Sequence, residues 1–163
     1  MIVLSTLCAG LGSGAIVDSA HRRIPNSISL GTAAIGFMLA AGGISGVSFS
    51  SALVGFFLGF FLMMPGHVFG ATGAGDVKLF AAAGTLLGAS HVVPAFLLTS
   101  IAGGILALAV AWRRGRLGRT MSLTARLFGR PAAVKADIES PREHNRFPYG
   151  PAIAVGCVIA ALI

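Results

Sequence analysis

Long apolar stretches alternate with short polar connections along nearly the whole chain. Six of them approach the roughly 17–25 residues that a helix needs to cross a bilayer, although some are slightly short. The boundary between the fourth and fifth is marked only by Ala89-Ser-His-Val-Val-Pro94, where Pro94 suits the first turn of a new helix. The pattern predicts an all-α, polytopic membrane helical bundle of about six spans in a single domain, residues 1–163. The predicted spans are 2–17, 27–44, 48–64, 77–93, 94–112 and 147–163.

Composition agrees with a membrane protein. The chain is 55% hydrophobic and 10% charged, whereas soluble domains carry about 25% charged residues. The first apolar stretch is interpreted as a retained helix and not as a cleaved signal peptide, because no Lys or Arg precedes it and further apolar stretches follow. Cys8 and Cys157 lie inside apolar stretches with no CxxC pair, so we expect both to be small core residues.

The positions of Lys and Arg predict the topology. Arg22 and Arg23 follow the first span, Lys78 begins the fourth, and the other basic residues lie in the segment 113–146. If the spans alternate, all 12 basic residues fall on one side, and the positive-inside rule makes that side the cytoplasm. Both termini are then outside. Basic residues beside membrane spans favour anionic lipid, and not nucleic acid, as a partner.

The segment 113–146 is the one large polar region and is predicted to be a cytoplasmic basic loop. Within it, residues 117–130 place apolar side chains on one helical face and arginines opposite, as in a helix lying in the headgroup layer. Other leucines blur this pattern. An interfacial helix and a plain basic loop therefore both remain open.

Asp18 and Asp76 are two of only five acidic residues, and both stand at the ends of predicted spans. Two spans separate them, so the chain returns to the same cytoplasmic membrane edge. Carboxylates in such positions are functional-site hypotheses by default. Peptide hydrolysis by two carboxylates needs one ionised, to deprotonate water, and one protonated, to bind the scissile carbonyl. A close pair titrates jointly, so neither residue is assigned as the base.

Other interpretations of these residues remain open. Asp76 could be a helix N-cap, a position that Asp favours, and Asp18 could form an ion pair with Arg22 at i+4. A non-enzymatic membrane component, such as a proton-coupled transporter subunit, is the alternative function. The four histidines are scattered with no H-x-x-x-H or His/Cys cluster, so we expect no metal site.

Three motifs carry a resemblance to a known family. Gly73-Ala-Gly-Asp-Val-Lys-Leu79 looks like a GxGDxK signature, and Asp18-Ser-Ala-His-Arg-Arg-Ile-Pro-Asn26 looks like a first-aspartate motif. Phe147-Pro-Tyr-Gly-Pro-Ala-Ile-Ala154 is similar to the Pro-aromatic-Gly-Pro start of a last helix. With these motifs in order, the chain resembles the type IV prepilin peptidases, polytopic aspartic proteases of the GxGD class. Presenilin-type enzymes share a GxGD aspartate, but the Ile-Pro-Asn and Pro-Tyr-Gly-Pro motifs point away from them.

The resemblance implies that Asp18 and Asp76 are the catalytic carboxylates, and we expect no cofactor. The substrate would be a prepilin or pseudopilin with a basic leader, cut at the cytoplasmic face of the bacterial inner membrane. The chain lacks the CxxC-bearing segment of bifunctional members, so it is similar to the short, peptidase-only branch that serves tight-adherence (Flp-type) pili, without N-methyltransferase activity. Which pilin is cut, its cleavage register and the oligomeric state stay open. The matching motif residues, expected to position the substrate or the site, are Gly73, Gly75, Lys78, Arg22, Arg23, Pro25, Asn26, Pro148, Gly150 and Pro151.

Overall fold

A computed structural model describes residues 2–21, 24–113 and 149–163. These residues form only helices and turns, with no strand in the described ranges, so the predicted all-α class is confirmed. Two helices and most of a third are long and apolar enough to cross a membrane: α1, α3 and residues 74–110 of α4. The helices are α1 Ile2–His21, α2 Asn26–Ala41, α3 Phe49–Val68, α4 Ala74–Arg113 and α5 Gly150–Ala160.

The long helix α4 is folded back on itself at Gly88. The backbone there has φ 69° and ψ 175°, a conformation essentially restricted to glycine. The rings of Phe80 and Phe96, on either side of the break, meet edge to face with centroids 6.2 Å apart. In a continuous helix these residues would be about 24 Å apart. The two halves, α4a (residues 74–87) and α4b (residues 89–113), therefore pack antiparallel as a hairpin.

The turn at Gly88 is held by α3. The N–H of Ala89 donates to Ser51 Oγ at 3.0 Å, and a Cβ added to Gly88 would lie 2.9 Å from the same oxygen. The sequence placed the helix boundary later, at residues 93 and 94. That boundary was wrong, because the glycine conformation makes the reversal, while Pro94 lies inside the second helical half.

The half-helix α4a is the centre of the bundle. Ten consecutive residues, 79–88, are buried, and α1, α2, α3 and α5 all contact α4. Glycines allow α3 to approach most closely: Gly55 and Gly84 face each other with no room for a side chain, and a Cβ on Gly59 would lie 3.2 Å from the carbonyl oxygen of Phe80. Asp76 thus belongs to a helix that is packed on every side.

Large apolar side chains cover the outside of the bundle, as expected where lipid is the solvent. Phe61 on α3 and Ile101 on α4b, for example, are exposed. The expectation for the cysteines was half wrong: Cys157 is buried, but Cys8 lies on the exposed face of α1 and both thiols are free. The predicted basic loop, including the possible helix at 117–130, lies outside the described residues apart from Arg113.

Candidate active site

Asp76 is positioned by the residues immediately before it. Helix α4 begins at Ala74, and the Oδ2 atom of Asp76 accepts the backbone N–H of Gly73 at 2.8 Å. An acidic side chain that reaches back from the third helical position is the second half of a capping box. Asp76 is therefore not the N-cap that the alternative interpretation proposed. Its other oxygen, Oδ1, is buried and has no hydrogen-bond partner among the described residues.

Asp18 is positioned by a distant part of the chain. It is buried near the end of α1, and its Oδ2 atom accepts the backbone N–H of Gly150 at 2.9 Å. Gly150 is the first residue of α5, so this N–H has no partner within its own helix. A Cβ added to Gly150 would lie 3.1 Å from Asp18 Oδ2. The contact therefore depends on glycine at this position.

Helices α1 and α4 bring the two carboxylates to the same end of the bundle, because a Cβ on Gly14, one turn before Asp18, would lie 3.0 Å from Leu79, one turn after Asp76. Each is 6% exposed, so little water screens one from the other. Each also accepts an N–H at the beginning of a helix, where the helix dipole favours negative charge. Together these features form a compact site with two carboxylates, one of which has an unpaired oxygen. Such a pair has the chemical capacity for general acid and base work on a peptide bond.

The Ile24-Pro25-Asn26 connection packs against the start of α4. A Cβ on Gly75 would lie 3.0 Å from Cβ of Ile24, and Pro25 is the N-cap residue of α2. The Lys78 ammonium donates to Asn26 Oδ1 at 3.0 Å. Gly75, Pro25, Asn26 and Lys78 therefore belong to one contact region that joins α2 to the helix of Asp76.

Pro151 follows Gly150 in the first turn of α5, where its missing N–H costs nothing. It lines an open groove of about 460 Å³ with four residues of α1 that surround Asp18 in sequence: Ala15, Ile16, Ser19 and Ala20. Arg22, Arg23 and Pro148 lie outside the described residues, as does any ion pair between Asp18 and Arg22.

Tyr149 borders this site and was not among the predicted site residues. Its hydroxyl donates to the carbonyl oxygen of Thr99 at 3.4 Å, and its ring occupies the space over Gly103, where a side chain would overlap it. The available signal was its position inside the Pro-Tyr-Gly-Pro motif, as the only tyrosine in the chain.

No group of three or more His, Cys, Asp or Glu side chains that could hold a metal ion occurs in the described ranges. His67, the histidine of α3, instead lies 3.2 Å from the carbonyl oxygen of Thr72 through its Nδ1 atom. That contact connects the end of α3 to the turn before α4.

Comparison with known proteins adds independent information. The family model described as "Type IV leader peptidase family" matches residues 5–108, which is more than half of the 163-residue chain. The matched range contains Asp18 and Asp76 and ends before Tyr149 and Gly150. No curated protein and no solved structure matches the chain.

Proposed function

Because the chain belongs to the type IV leader peptidase family, we propose that it is an aspartic endopeptidase that removes the basic leader from prepilin-like precursors. Membership in the family makes the chain a peptidase and implies a prepilin-like substrate. The proposal adds that Asp18 and Asp76 are the catalytic pair and that cleavage takes place at the cytoplasmic membrane edge.

The observation that carries this proposal is the pairing of two buried carboxylates from distant parts of the chain. Asp18 and Asp76 are the two acidic residues in the described ranges and both are buried, and the contact of Gly14 with Leu79 brings them to the same end of the bundle. Bringing two such groups together is costly, because like charges oppose each other's ionisation. A packed protein retains that cost where the pair has a chemical role.

The chemistry follows from the two protonation states of such a pair. The ionised carboxylate takes a proton from water, and the water oxygen forms a bond to the carbonyl carbon of the scissile peptide. The protonated carboxyl gives its proton to the carbonyl oxygen, which yields a neutral tetrahedral diol. Breaking the C–N bond then returns the carbonyl, while the leaving nitrogen receives a proton from the first carboxyl group. The second carboxylate recovers its proton from the diol, so the pair is restored.

We further propose that α1, α2, α3, α4a, α4b and α5 are six membrane crossings. The hairpin in α4 supports this count, because it turns one long apolar helix into two that run in opposite directions. Two crossings then separate Asp18 from Asp76. With the basic residues on the cytoplasmic side, both carboxylates lie at the cytoplasmic edge of the inner membrane and both termini lie outside.

Helix position favours this function over proton-coupled transport. Asp18 is three residues from the end of α1 and Asp76 is the third residue of α4. Transporters place their ion-binding groups near the bilayer midplane, in helices interrupted there. Carboxylates at helix ends instead suit a substrate that is cut where it leaves the membrane.

The substrate class is the least constrained part of the proposal. The resemblance to the short, peptidase-only branch supports a Flp-type precursor. We propose peptidase activity without N-methyltransferase activity.

The proposal is tested by incubating the purified protein, in lipid, with candidate prepilin-like precursors and locating the new N-terminus by mass spectrometry. We expect one cut between the basic leader and the apolar helix, and an unmethylated N-terminal amine. A precursor series that stays intact, under conditions in which the protein is folded, would contradict the assignment. In a second experiment, cysteines are placed at positions 18 and 76 and treated with a water-soluble reagent from each membrane face. Labelling from both faces would favour transport.

A further inference from the structure

Tyr149 joins the beginning of α5 to the second half of α4. Its hydroxyl donates to the Thr99 carbonyl oxygen. Its ring lies in a notch that exists because residue 103 is glycine: a Cβ there would meet the hydroxyl oxygen and two ring carbons. One turn of α4b therefore holds the Tyr149 side chain in place.

The backbone of the same residue leads directly to the Asp18 contact. Gly150 follows Tyr149 and donates its N–H to Asp18 Oδ2 at 2.9 Å. Since Gly150 begins α5, no earlier turn of that helix fixes the direction of this N–H. The contacts of the adjacent tyrosine side chain with Thr99 and Gly103 attach the start of α5 to α4b.

The side chain of Tyr149 contacts α4b, while its backbone leads into the Gly150 N–H that Asp18 accepts. No hydrogen bond joins the tyrosine to either carboxylate in the described residues. A direct role in proton transfer is therefore not needed to explain its position.

We propose that Tyr149 is a positioning residue: the packing of its ring against Gly103 directs the Gly150 N–H toward Asp18. This inference rests on the proposed function for its kinetic consequence, but the hydrogen bond itself is measurable without any substrate. An aromatic residue that only anchored the helix at the membrane interface would not need a glycine notch in a neighbouring helix.

Two variants disturb the contact between the Tyr149 ring and Gly103, one from each side. Tyr149→Ala removes the ring, whereas Gly103→Ala leaves the tyrosine intact and fills its space. We expect each to lower kcat by about 10- to 100-fold, the usual cost of misplacing a catalytic group by about 1 Å, with KM changed by less than about twofold. Tyr149→Phe keeps the ring and should retain most of the activity.

Gly104→Ala is the matched control. It lies next to Gly103 on α4b, and an added Cβ there meets nothing within 4 Å. The same chemical change at this position should leave kcat, KM and thermal stability as in the wild type. A similar loss in both glycine variants would overturn the notch argument.

Hydrogen exchange at the Gly150 amide, measured by NMR, separates this inference from the proposed function. Because that N–H has no helical partner, its protection reports the bond to Asp18. We expect protection in the wild type, Tyr149→Phe and Gly104→Ala, and its loss in Tyr149→Ala and Gly103→Ala. Unchanged protection in those two folded variants would overturn the positioning role, whether or not any precursor is cleaved. If protection is lost as expected but the wild type cuts no precursor, the proposed function fails and the positioning geometry stands.

Discussion

Asp76 is held by Gly73, three positions before it in the sequence, whereas Asp18 is held by Gly150, 132 positions after it. One carboxylate is fixed by its own helix start, and the other by the start of a helix from the far end of the chain. The contact between Asp76 and the Gly73 N–H is retained as long as the first turn of α4 forms. The Asp18 contact exists only when α1, α4 and α5 are all packed together, so the two halves of the site should respond differently to the same type of substitution.

Among the glycine substitutions, the largest expected effect comes from Gly150→Ala. The added Cβ would lie 3.1 Å from both Cβ and Oδ2 of Asp18, so α5 or the carboxylate must shift. We expect leader removal to fall by about 100-fold, as for a displacement of about 1 Å at a reacting group, measured as kcat with a purified precursor. Gly12→Ala on α1 is the control, because a Cβ there meets nothing within 4 Å. Near-normal activity in Gly150→Ala would show that the long-range contact does not set the site.

The second prediction concerns stability and the hairpin of α4, against which α5 packs where it contacts Asp18. Gly88→Ala forces a side chain into a conformation that costs about 1–3 kcal/mol, and its Cβ would crowd Ser51 Oγ. We expect a lower free energy of unfolding, measured by denaturant in detergent. As denaturant is added, the Gly150 amide should lose its protection from hydrogen exchange before the Gly73 amide does. Simultaneous loss of protection at both amides would contradict the proposed difference between the two carboxylates.

The smallest effect is expected from Gly73→Ala. The backbone N–H that Asp76 accepts is retained, and the added Cβ would lie 3.2 Å from Asp76 Oδ2, a crowding that a small side-chain rotation relieves. Such a rotation costs about 0.5–1.5 kcal/mol, so kcat should fall by less than about tenfold. A loss as large as that of Gly150→Ala would show that Asp76 tolerates displacement no better than Asp18.

The same contrast explains which features could be predicted from the sequence. Hydropathy located α1, α2 and α3 within a few residues, because a membrane helix needs a long apolar run. The Gly73-to-Asp76 segment is short enough for its chemistry to be visible in a motif. The motif around Gly150 could be recognised in the sequence, but its hydrogen bond to Asp18 could not be predicted. A bond between residues 132 positions apart depends on how the helices pack.

The turn at Gly88 shows why the remainder could not be predicted. Ser90 and His91 interrupt the apolar pattern and mark a boundary near residues 89–94, but Gly88 is one of 23 glycines, so the pattern does not identify it as the turn. The deciding facts are its positive φ and the Ser51 hydroxyl that receives the next N–H. Cys8 was misassigned for a related reason: an apolar segment in a membrane does not reveal which of its faces meets lipid.

The most direct test of the catalytic pair is the rate of leader removal by Asp18→Asn, Asp76→Asn and the double variant, each purified in lipid and given the same precursor. Groups that act as one unit give non-additive losses, so we expect both single variants to fall to the uncatalysed background and the double variant to fall no further. Asp137→Asn, which changes an acidic residue of the basic segment, should cleave at the wild-type rate. Full processing by either single variant, with the protein folded in the membrane, would contradict the assignment of Asp18 and Asp76 as the catalytic carboxylates.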